Sequence, residues 1–265
     1  MEKRRQQMGW LGPDAECGRA DGWCEARGLL LLVKLLGFFA ACGAMATDGV
    51  HPPPKWGVKF DPVPEPMRAP QRPYKPFTAA GWIAELKWDG FRGMARIDGS
   101  AVRLFHKSRT DVTRYYPEVA RALAPLAGGP HVLDGEFVVQ DDLGRSDFNA
   151  MKQRASRRRW YPGAPQVSYM AFDLLMLNWR DITSWPLGDR KNALSQLLAP
   201  INGKGVLYVQ HFPAEAELFD QIVLPLKLEG LMMKRLDAPY TSGRSDNWRK
   251  VKRKGAVEPQ RFKRR

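Results

Sequence analysis

The chain has 265 residues, which is enough for one large domain or two small ones. Its core can be stable without disulfides or bound metals. Its 42 lysines and arginines exceed its 28 aspartates and glutamates, and the net charge of +14 favours a polyanionic partner, either nucleic acid or an acidic membrane face. The three cysteines all precede residue 45, and the four histidines are scattered. These patterns exclude thiol catalysis in the rest of the chain and do not support a zinc site or a disulfide framework.

Residues 1–46 form an apolar N-terminal extension. Its apolar run, residues 29–46, contains Lys34 and closes with small residues. Three interpretations remain open: a mis-called start with translation beginning at Met45, an export signal cleaved at Ala44-Met45-Ala46, and a genuine extra segment. A transmembrane span is marginal because the run is short and has a lysine within it.

Residues 47–76 form a proline-rich lead-in, which predicts an extended segment lying on a surface. We expect the compact domain to begin near residue 60 and to span residues 62–255. A basic tail, residues 256–265, follows the domain. The interpretation that assigns it no function is a solvated segment.

The next elements in chain order are strands. Residues 82–88 are mostly apolar without a helical stripe, so we predict a buried strand with Lys87 near its end. Residues 91–105 alternate around Asp98-Gly99, which predicts a hairpin with a type I′ turn. Residues 132–139 and 167–177 are predicted as further strands, the first closed by a turn at 141–144.

Helices and strands then alternate. A basic helix over residues 146–160 is predicted to begin at a Ser146 cap, and residues 189–199 form another helix. Residues 214–228 carry an apolar helical stripe, followed by a strand at 228–235 and an extended segment at 247–253. Mostly antiparallel strands with interspersed helices predict an α+β fold with a cleft between sheets.

Lys87 is the residue whose setting suggests chemistry. An exposed lysine has a pKa near 10.4, so only about one in 10³ is unprotonated and nucleophilic at neutral pH. Burial among apolar neighbours would disfavour its charged form, and repulsion from Lys250 and Lys252 would act in the same direction. The alternative is a structural lysine in a salt bridge with Asp89 or Glu85.

The order of the polar motifs resembles that of covalent nucleotidyltransferases, and within them the ATP-dependent DNA ligases, particularly the ligase component of bacterial end-joining enzymes. The resemblance covers roughly residues 62–255. Each motif is weak alone, but six in order at compatible spacing make a strong signal. They are Lys87-x-Asp89-Gly90, Ser108-Arg109, Asp134-Gly135-Glu136, Phe172-Asp173, Glu229-Gly230 with Lys234, and Trp248-x-Lys250-x-Lys252.

The resemblance implies an ATP-grasp-like nucleotidyltransferase domain with two mainly antiparallel sheets, flanking helices and a nucleotide cleft between the sheets. Lys87 would attack the α-phosphorus of ATP to form lysyl-AMP and release pyrophosphate. The AMP would pass to the 5′-phosphate at a nick in double-stranded DNA, and the 3′-hydroxyl would displace it. That is the activity of a DNA ligase (ATP) in DNA repair, recombination and replication.

The resemblance also implies how the phosphates are held. Lys250, Lys252 and Lys234 would compensate the charge of the phosphate oxygens together with Mg²⁺ or Mn²⁺. Glu136 and Glu229 would supply the oxygen ligands that such a metal requires, although Glu136 has ribose binding as an alternative role.

The remaining positions concern the nucleoside and the nick. Phe172 would stack on adenine, with a plain core phenylalanine as the alternative. Glu85 would contact the adenine edge, and Arg92 and Arg109 would contact ribose or the nick phosphate. For the two glutamates of the metal site, an ion pair with Arg92 alone is the alternative.

Two further features bear on DNA. Residues 153–160 carry four arginines, which we interpret as sequence-independent phosphate contacts, against an ordinary solvated helix face. The resemblance implies an oligonucleotide-binding barrel after the last motif, but only 13 residues follow Lys252, so we expect no barrel in this sequence. We therefore expect slow sealing of nicked duplex, or sealing with other repair proteins or a separate DNA-binding subunit as partner.

Two other classes of function remain. An RNA ligase or a capping-type guanylyltransferase would share the lysine chemistry, and labelling with ATP against GTP would separate the capping activity. A non-catalytic nucleic-acid-binding module would tolerate Lys87→Ala. ATP dependence favours the cytoplasm, with the periplasm as the alternative if residues 29–46 are an export signal; stable membrane association is expected only if that run is real.

Overall fold

The computed structural model describes residues 62–126 and 128–256. The interpretations of residues 1–46, of the cysteines, of the first half of the proline-rich lead-in and of the tail beyond residue 256 therefore lie outside the described residues. No helix within the described residues combines the length and apolar character that crossing a membrane requires.

The described chain contains twelve strands and three α-helices. The strands are β1 Met67–Arg68, β2 Trp82–Leu86, β3 Phe91–Asp98, β4 Ala101–His106, β5 His131–Val138, β6 Ser168–Leu177, β7 Arg180–Asp181, β8 Val206–Tyr208, β9 His211–Pro213, β10 Gly230–Arg235, β11 Gly243–Arg244 and β12 Trp248–Lys252. The helices are α1 Pro117–Leu123, α2 Phe148–Ser156 and α3 Leu187–Leu198, with a 3₁₀ turn at Thr113–Tyr115 and a π-helical turn at Phe219–Val223.

Two sheets carry the domain, which confirms the predicted α+β class. One has six strands in the order β4-β3-β5-β6-β7, with β8 pairing β6 in parallel. The other has four antiparallel strands in the order β12-β10-β2-β9. A parallel pair, β1 with β11, joins the lead-in to the segment before β12.

The core lies in three layers around these sheets. One apolar cluster packs α1, α2 and α3 against the six-stranded sheet. A second lies between the two sheets and includes Met94, Met170, Phe172 and Trp248. A third packs the π-helical turn on the other face of the four-stranded sheet. The two sheets therefore face each other across a core whose open end can form a cleft.

The predicted hairpin at residues 91–105 is confirmed as β3 and β4, but its turn differs from the predicted type. The loop residues are Gly99 and Ser100, and of these only Gly99 has a positive φ, of 58°. A type I′ turn requires positive φ at both positions, whereas type II′ requires it at the first alone. The turn therefore has the backbone pattern of type II′.

Two helix predictions were wrong in detail. Helix α2 is capped by Asp147, whose side chain accepts a hydrogen bond from the Ala150 amide, and not by Ser146. It ends at Ser156 and not at residue 160, and Arg158 has a positive φ of 53°. In the predicted helix at 214–228, the π-helical turn ends at Val223, because Pro225 has no amide hydrogen with which to continue it.

Candidate active site

A cleft of about 590 Å³ is lined by residues of both sheets and of the lead-in. Of the motif residues, it collects Glu85, Lys87, Arg92, Ser108, Glu136, Phe172, Lys234, Trp248 and Lys250. The lead-in contributes Glu65, Pro66, Arg68, Ala69 and Gln71, a role that the proline content alone did not reveal. We call this space the nucleotide cleft.

Lys87 directly follows β2, which ends at Leu86 and not at residue 88 as predicted, and its backbone amide donates to the Gly230 carbonyl at 2.9 Å. Its Nζ lies 2.5 Å from Glu229 Oε2, and Lys252 Nζ lies 3.1 Å from Glu229 Oε1. The lysine side chains are 21% and 25% exposed. The salt-bridge partner of Lys87 is therefore Glu229, and neither Asp89 nor Glu85.

The motif glycines permit the close approach of backbones around Lys87. A Cβ on Gly230 would lie 2.0 Å from the Val251 carbonyl oxygen, and one on Gly90 would lie 2.1 Å from that of Phe137. A Cβ on Gly135 would overlap the Tyr169 ring at 2.5 Å. Each contact is too short for any side chain, so glycine is required where the backbone segments next to Lys87, Glu136 and Glu229 converge.

A second cleft, of about 390 Å³, also reaches Lys87. It is lined by Asp89 and Glu229, by the start of α2 and by Arg145, Lys227 and Arg253. Ser146, wrongly predicted as the helix cap, instead accepts a hydrogen bond from the Asp89 amide at 3.1 Å. The lysine thus lies where two clefts meet.

Two carboxyl groups near Lys87 have raised pKa values. Burial raises the pKa of Glu136 to about 7, with Glu229 and Asp134 adding to the rise and with Lys87 and Arg92 opposing it. Burial and the nearby Glu229 raise the pKa of Asp89 to about 6, against Lys87 and Lys252. Carboxyl groups whose pKa values are shifted by burial and by neighbouring charges are typical of functional clefts.

Glu85 lies at the other end of the cluster of charged residues, with 2% of its side chain exposed. Lys191 Nζ contacts Glu85 Oε1 at 2.6 Å, and Lys234 Nζ contacts Oε2 at 2.5 Å. The resemblance implies a phosphate contact for Lys234, but in this structure its ammonium pairs with Glu85. It also lies 4.5 Å from the Phe172 ring centroid and 4.3 Å from that of Trp248.

Lys191 was missed by sequence reasoning, although a signal was present. It stands four residues after Leu187 and three before Leu194, which places it on the buried stripe of α3. Its neighbour Arg190 is also fully buried and forms a bidentate pair with Asp173 at 2.8 and 3.0 Å. Charged residues on an apolar stripe indicate buried ion pairs.

Arg92 lines the cleft, but its guanidinium is committed to Asp134. The two bonds measure 2.7 and 2.6 Å, and a third reaches the Met67 carbonyl at 3.0 Å. Tyr240 donates to the same Asp134 carboxylate. Arg92 therefore does not form the ion pair with Glu136 or Glu229 that was the alternative for those glutamates.

Phe172 is a core residue that also reaches the cleft. It belongs to the core between the sheets and is 9% exposed, yet it lines the nucleotide cleft together with Met232. Its ring lies edge-on to Trp248 at 5.9 Å. The cleft thus has an apolar wall able to take a planar ring.

The arginines expected to meet DNA divide into two groups. Arg154 is fully buried and pairs with Glu118 at 3.2 Å, so its predicted phosphate contact is wrong. Residues 157–159 are exposed, and the adjacent Trp160 is 48% exposed. Arg109 is also exposed, beside the cleft residue Ser108.

The comparisons with known proteins agree with this geometry. A family model described as the ATP-dependent DNA ligase domain matches residues 64–252. The chain belongs to this family. The resemblance found in the motifs is therefore confirmed.

Two mycobacterial relatives illustrate the match. The chain is 31% identical over 188 residues to the multifunctional non-homologous end joining protein LigD of Mycolicibacterium smegmatis, covering 71% of this chain and 23% of that protein. It is 32% identical over 189 residues to DNA ligase C1 of the same organism, covering 69% of this chain and 54% of that ligase. The chain thus spans about a quarter to a half of these relatives.

Solved structures show the same fold. A mycobacterial DNA ligase D complexed with ATP and MES matches with a TM-score of 0.62 and 32% identity, covering 73% of this chain and 61% of that one. The ligase domain of Mycobacterium tuberculosis LigD matches with a TM-score of 0.59 and 33% identity, covering 71% and 60% of the two chains. The predicted nucleotidyltransferase architecture is therefore confirmed.

Proposed function

We propose that this chain is the adenylation domain of an ATP-dependent DNA ligase, which seals nicks in duplex DNA through a lysyl-AMP intermediate. The observation that carries the proposal is the position of Lys87. It stands at the end of a buried strand, where two clefts meet, with its amine against Glu229. Family membership supports ATP as the substrate that this amine attacks.

In the first step, Lys87 Nζ forms a bond to the α-phosphorus of ATP, and the bond from that phosphorus to the leaving oxygen breaks, releasing pyrophosphate. The amine must first lose a proton to act as a nucleophile. Glu229 Oε2, at 2.5 Å, is placed to accept that proton. Lys252, on the other oxygen of Glu229, stabilises negative charge in the same place.

The nucleoside end of the cleft supports adenine as the base. Phe172 and Met232 offer apolar surfaces to a ring, and Glu85 offers carboxylate oxygens to its edge. With adenine in that position, the ribose would lie near Arg92 and Glu136. The α-phosphate would lie near Lys87 and Lys250.

A divalent metal, which the family implies, fits the residues present. Within residues 62–126 and 128–256 no three His, Cys, Asp or Glu side chains group as a metal site. Magnesium is commonly held by one or two carboxylates plus substrate phosphates, so Glu229 and Glu136 suffice as protein ligands. Glu229 Oε1 is buried and contacts Lys252 Nζ at 3.1 Å as an ion pair without hydrogen-bond geometry, which supports this role. Magnesium or manganese bound there would supply charge compensation for the phosphate oxygens.

The later steps require nicked DNA at the same lysine. An oxygen of the 5′-phosphate attacks the phosphorus of AMP and breaks its bond to Lys87; the 3′-hydroxyl then attacks the 5′-phosphate and releases AMP. The exposed arginines at 157–159 and Arg109 offer contacts to the phosphate backbone. Other repair proteins or a DNA-binding subunit remain proposed partners, and the use of ATP supports the cytoplasm.

The test of the first step is covalent labelling. Protein given ATP labelled at the α-phosphate and Mg²⁺ is expected to gain the mass of one AMP and to retain label on denaturing electrophoresis. Lys87→Ala is expected to fold and to take no label, whereas Lys204→Ala, an exposed lysine outside both clefts, is expected to label normally. Labelling from GTP in preference to ATP, or labelling of Lys87→Ala, would contradict the proposal.

The test of the later steps is single-turnover sealing by the purified, pre-adenylylated protein. We expect a nicked DNA duplex to be sealed and a matched nicked RNA duplex to be sealed more slowly. A protein that labels with AMP but seals neither substrate would limit the proposal to the first step. Preferential sealing of RNA would favour the RNA ligase alternative.

A further inference from the structure

The Glu85 cluster contains one residue that the proposed chemistry does not use. Glu85 and Lys234 line the nucleotide cleft, but Lys191 does not. Lys191 lies behind Glu85 on α3, is fully buried and also donates to the Val209 carbonyl at 3.0 Å. Its ammonium lies 4.7 Å from the centroid of the Tyr208 ring. Its direct contact with a residue of the cleft is therefore the ion pair with Glu85.

A purely structural role does not explain this arrangement. Removing two ammonium groups and a carboxylate from water carries a desolvation cost that well-packed apolar side chains of similar volume avoid. The cluster has one negative and two positive members, so its charges do not balance. What it provides is a carboxylate fixed at both oxygens, with one lone pair of each oxygen left for a ligand.

We propose that Lys191 is a positioning residue that keeps Glu85 an ionised acceptor for the exocyclic amino group of adenine and so sets the preference for ATP over GTP. The inference rests on the proposed function. Adenine presents an amino donor at position 6, where guanine presents a carbonyl acceptor. An ionised carboxylate accepts from the first and repels the second, whereas a protonated carboxyl can donate to the second.

The ionisation of Glu85 can be distinguished from that of the titratable groups around it. Burial alone would raise its pKa, but Lys191 and Lys234 together bring the pKa below its ordinary value. His211, opposite Glu85 on β9, has a pKa lowered to about 4 by burial and by Lys191, so it stays neutral near pH 7.

The other groups that face Glu85 and Lys191 are Tyr208, Asp173 and Lys234. The pKa of Tyr208 is raised by burial, so it stays protonated. Asp173 is held by Arg190 in a bidentate pair. Burial, with Lys191 adding to it, lowers the pKa of Lys234, and loss of Lys191 would remove that repulsion.

The experiment compares self-adenylylation with ATP and GTP from pH 6 to pH 9. Wild-type preference for ATP is expected to be independent of pH in this window. In Lys191→Met and Lys191→Gln, we expect the preference to fall about tenfold or more at pH 6 and to recover toward pH 9, because Glu85 then titrates; tenfold is within the worth of one hydrogen bond to a charged group. The loss is expected in KM for ATP more than in kcat. Lys191→Arg, which keeps the charge, is expected to restore the preference, and Lys204→Met is the control.

Several outcomes would overturn the inference. One is an unchanged ATP to GTP ratio in folded Lys191→Gln; another is an equal, pH-independent loss with both nucleotides. The wild-type protein provides a test without any substitution: its preference for ATP over purine riboside triphosphate, which lacks the amino group, must not titrate between pH 6 and pH 9. Failure of the wild type to form any adduct would instead contradict the proposed function.

Discussion

Two clusters of the same composition stand at the two ends of the site, and they differ in burial. In each, one glutamate lies between two lysines: Glu229 between Lys87 and Lys252, and Glu85 between Lys191 and Lys234. Lys87 and Lys252 are 21% and 25% exposed, whereas the lysines of the Glu85 cluster are at most 1% exposed.

The difference shows how one arrangement serves two purposes. Around Glu85 the charged groups are fixed in place, because a lysine that moved away would leave buried charge without its partner. Around Glu229 the lysines retain contact with water, so the carboxylate can exchange partners during a reaction. In the mechanism that we propose, burial therefore separates the carboxylate that orients the nucleotide, Glu85, from the carboxylate that accepts a proton, Glu229.

The largest expected effect comes from changing the reactive lysine without changing its charge. Lys87→Arg keeps a cation beside Glu229 but has no amine that can lose a proton near neutral pH, so no detectable AMP adduct is expected. Mass spectrometry of the intact protein measures it. Lys252→Arg, with the same change at the other lysine, is expected to form a reduced but measurable adduct. An adduct on Lys87→Arg would show that another residue is the nucleophile.

The next effect contrasts the two glutamates by stability. Glu85→Gln leaves two buried ammonium groups without a counter-charge and is expected to lower the free energy of unfolding by about 3–5 kcal/mol. Glu229→Gln leaves two partly hydrated lysines and is expected to cost about 1–2 kcal/mol. Urea denaturation at pH 7 measures both. Equal losses would refute the difference that we infer from burial.

A smaller effect is expected for the replacement of Glu136, which should raise the free energy of unfolding and not lower it. Its pKa is about 7 in the folded chain against an ordinary value of 4.5, so the folded state binds the proton more tightly. The contribution of this group to stability is therefore greatest at low pH and falls by about 3 kcal/mol as pH rises from about 4.5 to about 7. Glu136→Gln removes that loss, so we expect a variant more stable than wild type at pH 8, with little difference at pH 4.5, and impaired in adenylylation.

Urea denaturation at the two pH values measures the Glu136 effect. Glu215→Gln, at an exposed carboxylate, is the matched control and is expected to change neither value. A Glu136→Gln variant that is less stable than wild type at pH 8 would contradict the interpretation that burial raises the pKa of this group.

The sequence could predict what local pattern controls. The strand before Lys87, the hairpin after it and the helix around residues 187–198 all follow from periodicity and turn residues. The motif glycines carried information as well, since Gly90, Gly135 and Gly230 stand where backbones touch.

The sequence could not predict which charged residues far apart in the chain form ion pairs. Glu229 is 142 residues from Lys87, and Lys191 is 106 residues from Glu85. Composition also could not distinguish Arg154 from the arginines that follow it, because burial against Glu118 depends on how α1 meets α2. For the same reason, the choice between Asp147 and Ser146 as helix cap was decided by the contact of Ser146 with the Asp89 amide.

The smallest expected effect concerns the exposed arginines at 157–159, which lie at the end of α2 away from the second cleft. The nine residues of α2 extend about 1.5 Å each, so this segment stands roughly a helix length, ~13 Å, from the Asp147 end beside Lys87. Phosphates of a duplex entering the site would pass within that range. Replacing the three arginines with glutamine is expected to make the plot of log K against log salt shallower by about 0.9 for each phosphate that is no longer neutralised, with little change in AMP labelling.

Titration of nicked duplex binding at several salt concentrations measures this slope. A variant with Arg180, Lys204 and Arg235 changed to glutamine removes the same formal charge at three separated positions and is the matched control. An equal change of slope in both variants would mean that net charge, and not the place of the arginines, attracts DNA. A shallower slope in the first variant alone would place the duplex along α2, because only groups that displace counterions from the DNA backbone alter the slope.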